Sequence, residues 1–193
     1  MKLEKLRQLV EEQYLAKNPG REDWADWLYT GHVLWVANKT DQLCERFGGN
    51  KDIAVAAALL HDIADSVMQR ENDRHEQESL EIARALCAKA GYTDDETSIV
   101  VDDICLKHSC HDGIVPNSLE GKIVATADAC AHFETEFYFY AFAHGSSFGD
   151  YNWMLSWTKS KIKRDLEQKI FFEDVRKDIL PIYESLERML SSR

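Results

Sequence analysis

The sequence predicts an all-α fold, and three observations carry that expectation. Apolar residues recur at three- and four-residue spacing through most of the chain. Helix start and stop signals bracket those stretches. No segment shows sustained period-two alternation with hairpin turns. The pattern reads as one domain over 1–193 built as a helical bundle. Its polar candidates fall in a core of about 22–146, and terminal helices at 1–16 and 150–190 are expected to pack around it.

In chain order, Leu3, Leu6, Leu9 and Val10 mark a first helix over 1–16, broken by Asn18-Pro19-Gly20. A second runs from about Asp23 to Phe47, carries Trp24, Trp27, Leu28, Val33, Leu34 and Val36, and ends at Gly48-Gly49. Asn50 is placed to cap the central Ala-rich helix, which begins at Ile53 and is read as helical through His61-Asp62 to Asp65. Asp73-x-x-Glu76 reads as a capping box with Asp in place of Ser or Thr, opening a helix that stops at Gly91. Thr93-x-x-Glu96 is a regular capping box for a helix reaching His108. After a polar loop over Cys110–Pro116, Asn117-x-x-Glu120 opens a long apolar helix to about Ala143. Gly145-Ser-Ser-Phe-Gly149 breaks it, Asp150 caps the next helix, and the amphipathic pattern over 173–190 holds Pro181 as a kink or break.

A net charge of −11 disfavours binding to long nucleic acid, which needs a basic face. It leaves room for a small phosphorylated substrate where a metal cation sits in the site. No apolar run approaches the roughly 18 residues that cross a bilayer, and the first residues lack a signal-peptide apolar region. A cytoplasmic protein without a membrane partner is expected, its oligomeric state open, a homodimer included. Cys44, Cys87, Cys105, Cys110 and Cys130 are odd in number, which excludes a complete disulfide framework.

The chemistry concentrates where ionisable side chains interrupt apolar helices. His61-Asp62 follows directly on the Ala-rich run, and burying both costs several kcal/mol unless they are paired or bound to a metal. A local hydrogen-bonded pair at a helix end is the plainer alternative. Asp65 falls one turn beyond His61. His32 lies in an apolar helical context, where a histidine is more often a satisfied core residue. Asp128, flanked by alanines, needs a partner, either a metal or a hydroxyl such as Thr126. His75 sits near a helix N-terminus, where the macrodipole favours a neutral ring. His108 ends a helix, where a cation would equally satisfy the dipole. His111-Asp112 repeats the dipeptide in a loop, and His132 lies one turn beyond Asp128. Phe137–Tyr140, Trp153 and Trp157 read first as core.

The order His32, His61-Asp62, Asp128 resembles the HD superfamily of metal-dependent phosphohydrolases, and Pro116-Asn-Ser-Leu-Glu-Gly-Lys-Ile-Val-Ala-Thr-Ala-Asp128 is similar to that family's stretch before its last Asp. The likeness covers about 30–145. It implies a helical bundle in which His32, His61, Asp62 and Asp128 bind one divalent ion. Two imidazoles with two carboxylates suit Mn, Fe, Co, Ni or Zn, with Mg also among the candidates. The order also resembles the binuclear type, in which His75 and His108 hold a second metal and Asp62 bridges. Otherwise those histidines would line the pocket and touch a phosphate.

Asp62 and Asp65 are the expected catalytic carboxylates, with Asp65 orienting water or moving its proton. The family's usual basic residues near these positions are replaced by Asp65 and Ala129-Cys130. Phosphate contact would then fall to His75, His108, or a base such as Lys107, Lys122, Arg70 or Arg74, with Lys107 included among the substrate contacts. The expected activity is hydrolysis of a small nucleotide, phosphomonoester or phosphodiester by metal-bound hydroxide. The alternatives are a di-iron oxygenase of the same ligand order and a non-catalytic nucleotide- or metal-binding sensor.

Overall fold

The computed structural model describes residues 1–144 and 150–191. The observed fold is all-helical, with no strand among the described residues. Helix α1 spans Lys2–Leu15. Helices α2 (Ala25–Trp27) and α3 (Leu34–Phe47) are joined by a π-helical segment, Leu28–Val33, so the expected second helix carries a wide turn inside it. Helix α4 (Lys51–Leu60) starts at Asn50, whose side chain accepts hydrogen bonds from the Asp52 and Ile53 amides, as a cap does.

Every residue of α4 from Ile53 to Leu60 is buried. Alanine keeps its diameter small, so α3, α7 and the π-helical segment Ile99–Cys105 approach it closely. Helix α7 (Leu119–Glu134) is built the same way, with Ala125, Ala127, Ala129 and Ala131 buried on all sides. These helices form the centre. Helix α5 (His75–Ala90) lies against α1, and α9 (Tyr151–Arg164) and α10 (Glu173–Ser191) pack at the other end of the chain.

Several boundaries differ from the sequence reading. The central helix stops at Leu60, and His61 takes its C-terminal cap position. Asp62 leaves helical geometry (φ −125°, ψ 33°) before a 3-10 turn, Ile63–Ser66. The capping box at Asp73 does not form. Helix α5 begins at His75 with Arg74 at the cap, and Asn72 turns the chain there by accepting from the Arg74 and His75 amides through its side chain and carbonyl. By contrast, both bonds of the Thr93–Glu96 box are made, opening α6 (Asp94–Ser98).

Ser118, one residue after Asn117, caps α7, while Asp103 takes the Asn117 amide. The long apolar helix is two helices. Thr135 is extended (φ −124°, ψ −179°) and separates α7 from α8 (Phe137–His144). Helix α10 runs unbroken through Pro181, which is exposed, so the carbonyl its ring deprives of a partner faces water. The expected break at Gly145–Gly149 lies outside the described residues. No helix among the described residues is long and apolar enough to cross a membrane.

Candidate metal centre

Local backbone irregularities aim the site's side chains. His32 projects from the π-helical segment Leu28–Val33, and His108 follows the second such segment, Ile99–Cys105. A π-turn inserts one residue into a helix and shifts side chains around its axis, which is why such turns recur at functional sites. His61 and Asp62 occupy the point where α4 gives way to the 3-10 turn, and that turn curls Asp65 into the interior. Asp128 comes from the middle of α7.

These residues meet. His32 Nε2 lies 3.2 Å from His61 Nε2 and 3.1 Å from Asp128 Oδ1, and His61 Nε2 lies 3.7 Å from both Asp128 Oδ1 and Asp62 Oδ2. His61 Nδ1 donates to the Ala58 carbonyl at 2.8 Å, which leaves Nε2 as a bare lone pair. His108 is fixed the same way, with Nδ1 donating to the Cys105 carbonyl at 2.7 Å and Nε2 lying 3.7 Å from Asp62 Oδ1. Two overlapping sets of three donors result, His32–His61–Asp128 and His61–Asp62–His108. Buried nitrogen and oxygen lone pairs converging at such distances repel unless a cation lies among them. Their mix of imidazole and carboxylate fits a borderline divalent metal. The Nδ1 of His32 is buried with no hydrogen-bond partner.

One oxygen of each carboxylate is held by a cation, a buried one at Asp128 and a half-buried one at Asp62. Lys169 Nζ pairs with Asp128 Oδ2, and Arg70 Nη2 bonds Asp62 Oδ2 at 2.8 Å and Asp65 Oδ2 at 2.5 Å. Burial opposes the charged form of Asp128, but Lys169, then His132 and His32, outweigh it and hold the carboxyl well below its usual range. Burial likewise opposes ionisation of Asp62, and Arg70 followed by His61 pulls it well below that range.

His132 bridges outward from this set. Its Nε2 lies 3.4 Å from Asp128 Oδ1, and its Nδ1 bonds Asp165 Oδ2 at 2.9 Å, where Lys161 also lies at 3.3 Å. Burial first, then Lys161, pushes His132 down to about 3, and burial pushes His108 down to about 4, so both rings are neutral at physiological pH. Lys161 is pushed by burial down to about 8.

His75 departs from the expectation of a neutral ring at a helix N-terminus. Its Nε2 lies 2.8 Å from Asp65 Oδ1. Burial works against the cation, but the bond to Asp65 and the charges of Asp65 and Asp62 prevail and raise its pKa. His75 therefore belongs to Asp65 rather than to either donor set.

His61, Asp62, His108 and Asp128 open onto a cavity of ≈ 310 Å3, which His75 also lines. Of the expected phosphate contacts, Arg70 reaches its wall. Lys107 does not: it pairs with Asp103 at 2.8 Å beside a separate groove. Arg74 pairs at 3.6 Å with Glu78 on the surface, and Lys122 is not among the lining residues.

The cavity's other cations, Lys161, Arg164 and Lys169, come from α9 and the π-helical segment Asp165–Lys169 after it, and sequence reading missed them. A signal was present: Lys161, Asp165 and Lys169 recur every fourth residue on a face shared with Ile162, Leu166 and Ile170. Phe137 and Trp157, read first as core, also line the cavity, as does His111 from the loop.

The comparison with known families agrees with this arrangement. No curated protein and no solved structure matches the chain. The family model described as HD domain matches residues 29–132, which begin just before His32, end at His132 and enclose the whole donor set. That match spans more than half of the 193 residues, and the chain belongs to the HD domain family.

Proposed function

We propose that the protein is a metal-dependent phosphohydrolase acting on a small phosphorylated substrate, whether nucleotide, phosphomonoester or phosphodiester. One observation carries the reading: imidazole and carboxylate donors converge at one side of a cavity whose walls bear four lysine and arginine side chains, in a chain of net charge −11. HD domain proteins are largely enzymes of this type.

His32, His61, Asp62 and Asp128 would hold the ion, with His108 able to join through Asp62. When bound, a divalent ion there polarises a phosphoryl oxygen and acidifies water. The chain's own residues do the rest. Lys169 occupies Oδ2 of Asp128 and leaves Oδ1 toward the imidazoles, while Arg70 bonds the Asp62 Oδ2 that faces His61 and leaves Oδ1 toward His108. This orients the ligands and leaves the site less negative toward an anionic substrate.

Asp65 is fully buried and acts through its neighbours. It keeps a proton on His75, which lines the cavity and can release that proton to a leaving oxygen. The test is a screen of phosphate esters with Mn, Co, Ni, Mg or Fe, using H61A as the blank. Turnover at least a hundredfold above H61A supports the reading. Absence of turnover with every metal, or equal turnover by H61A, overturns it. Strict dependence on O2 with no phosphate release would favour oxygenase chemistry instead.

A further inference from the structure

Four lysine and arginine side chains line the cavity, and three of them are committed. Arg70 holds Asp62 and Asp65, Lys169 holds Asp128, and Lys161 lies 3.3 Å from Asp165. Arg164 differs. Among the described residues no carboxylate pairs with it, and its Nε is shut away from solvent with no hydrogen-bond partner. An Nε so placed is costly unless something else satisfies it, and the rest of the half-buried side chain lines the cavity. Its planar fork matches two oxygens of one phosphate, a geometry no other side chain supplies. Lys161 stands three residues earlier on the same helix and lines the same cavity. Beside these cations the wall turns aromatic, with Phe137 and Trp157 shared between the cavity and a small apolar slot that also touches Trp24 and Met154.

We propose that Arg164, with Lys161 beside it, is the receptor for the substrate's phosphate oxygens, and that the substrate is a phosphomonoester whose compact apolar or aromatic group lies against Phe137 and Trp157. The receptor comes from α9, outside the residues 29–132 that match the family model. The proposal rests on the phosphohydrolase reading for the identity of the ligand, and its test separates the two.

Inorganic phosphate is titrated calorimetrically into the full chain, both Mn-loaded and in chelator. Wild type, R164Q and R164K are compared, with R84Q, at the exposed pair with Asp102, as the control. R164Q is expected to weaken phosphate binding ten- to a hundredfold in both conditions while Mn affinity stays at the wild-type value. R164K, which keeps the charge and loses the fork, falls between, and R84Q matches wild type. Equal phosphate affinity in R164Q and wild type, or no binding to wild type, overturns the receptor.

Phenyl phosphate is expected to bind tighter than inorganic phosphate, and Trp157→Ala to erase that margin. Equal affinities in wild type overturn the aromatic half. If R164Q loses phosphate binding while wild type hydrolyses no ester, the receptor stands and the hydrolase reading falls. If R164Q hydrolyses esters at the wild-type KM, the receptor falls and the hydrolase reading stands.

Discussion

At the scale of single residues, the site is decided by which oxygen of each carboxylate is already occupied. Lys169 is buried and has Asp128 as its partner, so Lys169→Met strands a carboxylate in the interior. Breaking a buried pair in this way costs about 3–5 kcal/mol. Metal-free K169M should therefore unfold at clearly lower denaturant than wild type. Its affinity for Mn should also fall, by roughly ten- to a hundredfold as for other groups that orient metal ligands, read by competition with a chromogenic chelator.

The His75–Asp65 pair makes a second residue-scale prediction. The folded pKa of His75 lies above its ordinary 6.5. The stability this pair contributes is thus fully present below about pH 6.5 and is lost as pH rises through the raised folded value. In Asp65→Asn the pull on the proton is gone. The His75 midpoint, followed by NMR, should then drop, and any activity that needs the protonated ring should lose its alkaline limb at lower pH. A midpoint unmoved by the substitution would remove His75 from its assigned role.

At the scale of elements, most helix ends followed from local chemistry, and their strengths can be measured. Asn50 and Thr93 both make the side-chain bonds of a cap. Replacing either by alanine should cost about 1 kcal/mol in chemical denaturation, without changing metal binding. The π-helical segment Leu28–Val33 behaves differently. Deleting the exposed Thr30 would return that stretch to regular helix and swing the residues on one side of it by about 100°. His32 should then leave the donor set and metal affinity should collapse while helix content, read by circular dichroism, is retained. Sequence periodicity could not show this segment, because a single inserted residue barely disturbs the spacing of Leu28, Val33 and Val36. For the same reason α7 and α8 read as one helix: the break is a change of backbone at Thr135 inside an apolar run.

At the scale of the whole molecule, the donor set draws on α3's leading turn, the end of α4, the turn after Cys105, and α7, so an ion bound there ties the bundle together. At a hundredfold excess over Kd, a divalent metal should add about 2.7 kcal/mol and raise Tm by about 5–10 °C, reversibly on chelation. A Tm indifferent to every metal would contradict the site.

The sequence by itself determined the helical class, the Ala-rich centre, the Asn50 and Thr93 caps, and the choice of His61, Asp62 and Asp128 as residues that had to find partners, while His32 joined them only through the resemblance to a family. Apart from His32, those conclusions follow from periodicity, capping chemistry and the cost of burying charge, which are local properties of the chain. The tertiary structure alone decided which cations neutralise Asp62 and Asp128, that His75 answers to Asp65, and that α9 walls the cavity with Lys161 and Arg164. Lys169 meets Asp128 across 41 positions of sequence, and no local rule reaches that far, because the contact exists only once the segment after α9 has packed against α7.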